Sequence, residues 1–304
     1  MSATRRASLV VVLAAAAAAA CRRPDGARSR IAVSIYPLYD VVRRVAGPDL
    51  AVDLVLPPGH TTHSFDPKPQ DVARLADARM VFAIGLGLEQ WLPPMLQGAG
   101  EKETRLFELG PLLDPILVPE GVLDLAAARE EPAGAAPVDP HVWMDPRRME
   151  RATDLVVDAL QKLEPAVGPR LRQRGDEVKR SLRELDQELE RRSQAWTRRK
   201  IATFHGSMFT FAARYGLEVT AVVEVVPGRE PSPRYVARVV EALRASGTAA
   251  LLTEPQFDPR PARVIAGEAG LPVFEIDPVG GGEGADSYEK MLRRDADVLD
   301  KALR

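Results

Sequence analysis

Residues 169–196 read PRLRQRGDEVKRSLRELDQELERRSQAW. One proline opens the stretch and one glycine, Gly175, falls early in it; nothing else there breaks a helix. Val178, Leu182, Leu185 and Leu189 fall at i, i+4, i+7 and i+11, a single narrow apolar stripe on an otherwise charged surface. At 1.5 Å per residue such a helix would run about 42 Å. Alone, the stretch reads as a coiled-coil arm. Its position decides otherwise, because it lies between two series in which short β-rich runs alternate with helical patterns.

On the N-terminal side strands are expected at 31–35, 51–56, 80–84 and 105–108. Helices are expected at 38–46 and 69–78, with a loop and short helix in GLGLEQWLPPML (85–96). A good helix follows at 146–163, with Asp145 as N-cap and Pro146 at its first position. Residues 110–140 are proline-rich and irregular. On the C-terminal side strands are expected at 200–204, 217–225, 249–253 and 272–276, and helices up to 215 and at 232–245, 261–269 and 288–303. Alternation of this kind implies parallel sheets with helices on both faces. The expected fold is α/β: two parallel-sheet lobes, 31–168 and 197–304, joined by 169–196 as one long rigid interlobe helix.

Hydrophobic content of 45% against 28% charged residues allows a real core and excludes a disordered chain. Lys+Arg number 41 and Asp+Glu 43, a balance that gives no sign of nucleic-acid binding, which would favour a basic face. The first twenty residues differ from the rest. MSATRR is basic, and ASLVVVLAAAAAAA is apolar but too short for a comfortable membrane span. The pair reads as a secretory signal peptide. The AAAC ending at Cys21 resembles a bacterial lipobox, which makes Cys21 the expected lipidation site and 21–30 a tether. The alternative is an ordinary cleaved leader with an incidental cysteine. Cys21 is the only cysteine, so it has no partner for an internal disulfide.

The chain has four histidines. Three lie in separate turns: His63 in HSFDPKP, His141 in DPHVWMDP and His205 in TFHGSMF. Asp277, in EIDPVGG, is a fourth candidate with an oxygen to offer. Open parallel sheets bind ligands beyond the carboxyl ends of their strands. His205 and Asp277 each follow directly on a predicted strand, His63 lies in the loop leaving another, and His141 precedes the helix capped by Asp145. Two candidates come from each lobe, so the expected site is the cleft between them. Three imidazoles and a carboxylate suit tetrahedral zinc; a bidentate Asp277 would raise the coordination number and admit manganese. Glu254, at the end of a strand, is a runner-up carboxylate or a wall residue. His60 is at most an auxiliary ligand. Asp66, Asp139 and Asp145 are candidates to orient the imidazoles. Binding is expected to weaken below about pH 6 as imidazoles protonate.

Several stretches, in order, resemble the metal-binding solute-binding proteins of zinc and manganese ABC importers, the TroA/ZnuA-like family. They are PPGHTTHSFDPKPQD, DPHVWMDP, TFHGSMFTFAARYGLEV, PGREPSPRYVARVVEALRASG, TEPQFDPRPA and IDPVGG. The resemblance runs from about Arg30 to the end. It implies an exported periplasmic or cell-surface lipoprotein, not an enzyme, with His63, His141, His205 and Asp277 as ligands of one divalent ion. Zinc (Zn2+) is favoured over manganese (Mn2+) or iron, because manganese-selective relatives typically have Glu where this chain has His205. The implied partners are an ABC permease with its ATPase, and a membrane reached through lipid on Cys21; a monomer is expected. The competing readings are a zinc-dependent hydrolase, a binder of metal chelates or cobalamin, and a surface adhesin.

Overall fold

Apolar runs that must be covered on both faces make the first sheet: Ile31, Ala32 and Val33 in one strand and the whole of Met80–Ala83 in another are buried. The computed structural model of the chain describes residues 29–99, 105–119, 122, 138–223 and 232–304. The expected leader, Cys21 and all but the last two residues of the tether lie outside the described residues.

The first lobe runs β1 (Arg30–Val33), α1 (Tyr36–Ala46), β2 (Ala51–Leu54), α2 (Pro69–Ala76), β3 (Met80–Ala83), α3 (Leu92–Gly98), β4 (Arg105–Glu108) and α4 (Pro146–Leu163). The long helix α5 (Gly168–Gln194) follows. The second lobe runs β5 (Lys200–Thr203), α6 (Phe209–Tyr215), β6 (Glu218–Val222), α7 (Pro233–Ser246), β7 (Leu251–Thr253), α8 (Pro259–Ala269), β8 (Val273–Glu275) and α9 (Tyr288–Leu303). The sheets have the orders β2-β1-β3-β4 and β6-β5-β7-β8, and every pairing is parallel. This is the expected pair of α/β lobes joined by a long helix.

Local chemistry explains where the elements start. Asp145 caps α4 by accepting from Arg147 N at 2.8 Å, with Pro146 next, as the sequence suggests. Helix α8 begins before the expected 261, because Asp258 accepts from Arg260 N at 2.9 Å and Pro259 can occupy the first turn. The left-handed glycines Gly216, Gly247 and Gly270 close α6, α7 and α8. Among the described residues no helix is long and apolar enough to cross a membrane.

Helix α5 buries Leu171, Val178, Leu182, Leu185 and Leu189 along its stripe. It packs on α1 and α4 of the first lobe and on α6 and α9 of the second. One continuous core therefore runs through the first lobe, α5 and the face of the second sheet under α9; a smaller core lies on that sheet's other face, under α7 and α8. Two polar nodes tie both lobes to α5. Asp186 accepts from Arg147 of α4 (2.8 Å) and from Arg214 (2.6 and 2.9 Å) and Tyr215 (3.1 Å) of α6. Arg44 of α1 donates to Ser181 of α5 (2.7 Å) and to Glu289 of α9 (2.8 Å).

In each sheet the chain order reverses beside the first strand, the point where such sheets bind ligands. The first lobe fills this point itself. Glu89 accepts there from Ser34 Oγ (2.7 Å), Ile84 N (2.9 Å) and Gly85 N (2.9 Å). The second lobe leaves its equivalent point, between the ends of β5 and β7, to other side chains.

Candidate metal centre

His205 follows β5 at that reversal point and is buried. Opposite it, the first lobe presents His141 from the turn before α4 and His63 from the loop after β2. The three rings converge with centroids 4.8–5.5 Å apart, His205 edge-on to both others and His63 tilted against His141. The Nε2 atoms of His205 and His141 are 3.1 Å apart, and those of His63 and His141 are 3.4 Å apart. A tetrahedron of about 2.0–2.1 Å zinc–nitrogen bonds has edges of about 3.3–3.4 Å, so these separations suit three nitrogens on one ion. All three rings have a ligand atom within 4.8 Å of one another, and among the described residues no carboxylate joins that group.

The rings are held differently. His141 is oriented by Asp139, whose Oδ1 accepts from His141 Nδ1 (2.8 Å) and from its backbone N–H (3.0 Å). The other oxygen of Asp139 accepts from Thr210 N (3.0 Å) and Thr210 Oγ1 (2.6 Å), at the start of α6 in the second lobe. One buried carboxylate thus orients an imidazole and crosses the cleft. Of the three orienting candidates Asp139 alone does this: Asp145 is the α4 cap and Asp66 is exposed. The His63 loop is pinned from behind, where Trp91 Nε1 donates to Thr62 O (2.8 Å) and Trp91 packs edge-on against Phe65. His205 Nδ1 is buried and has no hydrogen-bond partner among the described residues. His60 is exposed and packs on Phe65, outside the cluster.

Burial, and then the neighbouring His141, push the His63 ring down to about pKa 3. The same causes, burial first, hold His205 well below the ordinary histidine value. Both rings are neutral at pH 7 with lone pairs available, as metal ligation requires. For these two rings titration lies lower than for an ordinary imidazole, because a proton would have to enter a buried cluster of nitrogens.

Asp277 follows β8 and is buried. Its Oδ1 accepts from Gln256 Nε2 (2.8 Å), Gly280 N (3.1 Å) and Val279 N (3.4 Å). Glu254, after β7, is also buried, lines the cavity and accepts from Ser207 Oγ at 2.6 Å. The cavity has about 10 Å³ of room for the centre of a water-sized sphere, about one such sphere's worth. That suits an ion and not an organic chelate. Gln256, Ser207 and Thr210 lie inside the quoted stretches TEPQFDPRPA and TFHGSMFTFAARYGLEV, but the sequence alone assigned them no role. Trp143 lines the cavity and lies 5.1 Å from His141, ring to ring; its place beside a ligand candidate in DPHVWMDP was the available signal.

A family model described as ZnuA, zinc-uptake complex component A periplasmic, matches residues 31–302. The manganese-binding lipoprotein MntA of Halalkalibacterium halodurans is 24% identical over 287 residues, covering 92% of this chain and 90% of that protein. The metal ABC transporter substrate-binding lipoprotein FimA of Streptococcus parasanguinis is 24% identical over 276 residues, covering 88% and 86%. A crystal structure of ZnuA superposes with a TM-score of 0.78 at 26% identity, covering 91% of this chain and 100% of that one.

Proposed function

This chain belongs to the ZnuA family of periplasmic zinc-uptake components, and from that premise we propose that it captures one divalent transition-metal ion between its lobes and delivers it to an ABC importer's permease. The observation that carries the reading is the meeting of three imidazoles, two from one lobe and one from the other, with Nε2 contacts of 3.1 and 3.4 Å. His63, His141 and His205 supply three nitrogens and Asp277 a fourth ligand, an N3O shell that suits zinc better than manganese or iron. Lobes 31–168 and 197–304, joined by 169–196, serve as two jaws on a fixed strut. The ion is cargo: it ties the jaws together, and the permease reads the closed surface.

The chain works outside the cytoplasm as a monomer held to a membrane by lipid on Cys21. The names of MntA and FimA, both lipoproteins, support the anchor. It is not an enzyme. A zinc hydrolase needs an open coordination position and space for a substrate, and the cavity has room for about one water-sized sphere.

Chelator-competition titration of the metal-stripped protein with zinc and then manganese tests the proposal. One-to-one zinc binding at nanomolar or tighter is expected, with manganese weaker by about a thousandfold and zinc binding lost in His63→Ala and His205→Ala. Tight binding of neither metal would overturn it. Equal tight binding of both would keep the receptor and discard zinc preference.

A further inference from the structure

The carboxylate of Asp277 is asymmetrically held. Three N–H groups converge on Oδ1, from Gln256, Gly280 and Val279. A carboxylate oxygen has about two lone-pair sites, so Oδ1 has none left for an ion. Oδ2 has no hydrogen-bond partner among the described residues. The backbone beneath is fixed as well: Asp277 N donates to Oδ1 of Asp295, a fully buried residue of α9, at 2.8 Å.

Two of the three donors belong to the turn's own backbone. The third does not. Gln256 arrives from the loop after β7 and forms part of the cavity wall. Its amide faces the carboxylate through NH2, which donates to Oδ1. That orientation leaves Gln256 Oε1 buried without a partner among the described residues. The side chain gives up one polar group's satisfaction in order to hold Asp277.

We propose that Gln256 is a specificity-determining residue: by occupying Oδ1 of Asp277 it restricts that carboxylate to a single-oxygen ligand. Three imidazole nitrogens and one oxygen then complete a four-coordinate shell, the geometry of zinc. Manganese takes oxygen-rich, six-coordinate shells. It would need both oxygens of Asp277 or several waters, and the cavity has room for about one water-sized sphere. The discrimination comes from denying an oxygen to the competing ion. The inference rests on the reading of Asp277 as the fourth ligand.

The test uses the purified chain, stripped and reloaded, in native form and as Gln256→Met, Gln256→Ala and Asp277→Ala. Zinc and manganese affinities are measured by chelator competition, the metal shell by X-ray absorption, and folding by thermal melts. The glutamine variants are expected to lower the zinc-to-manganese affinity ratio by about 10–100-fold, through a gain in manganese affinity. Manganese in Gln256→Met should show more oxygen ligands than zinc in the native protein. An unchanged ratio, or an equal loss of both metals in a folded variant, would overturn the role of Gln256 while Asp277→Ala still weakened zinc. Undiminished zinc affinity in Asp277→Ala would instead sink the four-ligand reading, and this inference with it.

Discussion

The low basicity of His63 and His205 has a measurable consequence at the level of single protons. Three ordinary imidazoles with pKa about 6.5 would carry about 2.7 protons at about pH 5.5, all of which an incoming ion must displace. Burial keeps His63, at about pKa 3, and His205 unprotonated there, so zinc should release at most about one proton. Calorimetry in buffers of different ionisation enthalpy would count them, and a release near three would refute the closed, neutral cluster. Stability has a matching sign. The folded values lie below the unfolded one, so between about pH 6.5 and about pH 3 the unfolded chain binds protons that the native chain refuses. Metal-free protein should lose stability as pH falls through that window, and the loss should shrink in His63→Ala, followed by chemical denaturation. The three clustered rings were legible, since His63, His141 and His205 sit in turns at strand and helix ends; Asp277 sits in such a turn too but does not join their group. Gln256 was not: its meaning lies in a 2.8 Å contact with Asp277, which no spacing in the sequence announces.

Among the elements, α5 shows both what patterning reveals and what it hides. The stripe Val178, Leu182, Leu185 and Leu189 is enough to predict a long helix with one buried face, and the observed Gly168–Gln194 differs from the expected 169–196 only by terminal residues. The pattern counts Asp186 among the polar positions, yet Asp186 is buried. Burial alone would raise its carboxyl, but hydrogen bonds from Arg214, Arg147 and Tyr215 outweigh it and hold the group below the usual range. Because those donors come from both lobes, the residue clamps the strut to each. Asp186→Ala would leave Arg214 and the Tyr215 hydroxyl short of a partner. A loss of about 2–4 kcal/mol is expected in urea unfolding at neutral pH, and a loss below about 0.5 kcal/mol would reduce the node to an ordinary surface pair. Gly175 is explained in the same way. A Cβ there would lie 2.5 Å from Val157 Cγ2, so the glycine sets how closely α5 approaches α4.

At the scale of the molecule, the turn that carries Asp277 belongs to the second lobe by chain but is seated on the first. Trp143, two residues after His141, donates from Nε1 to Pro278 O at 2.7 Å. Tyr288, at the start of α9, donates from its hydroxyl to Trp143 O (2.6 Å) and from its backbone N–H to Asp40 of α1 (3.1 Å). Gly281 completes the seat. Its φ is +83°, and a Cβ there would lie 2.8 Å from the ring of Tyr36 and 3.1 Å from Pro58. With one core shared by the first lobe, the strut and α9, the lobes have little freedom to swing as separate bodies. Metal affinity should then depend on this seat even though none of its residues is a candidate ligand. Gly281→Ala adds a methyl group at a left-handed position and against an aromatic ring. It should cost about 1–3 kcal/mol of stability in the metal-free protein. By lifting the Asp277 turn from the first lobe it should also weaken zinc about tenfold, the low end for residues that support a ligand. Thermal melts with and without saturating zinc separate the two effects, because a ligand stabilises in proportion to the logarithm of its concentration over Kd. A lowered melting temperature with full zinc stabilisation would mean that the seat serves the fold alone. A reduced zinc increment would mean that the second lobe holds its ligand in place only because the first lobe holds the turn.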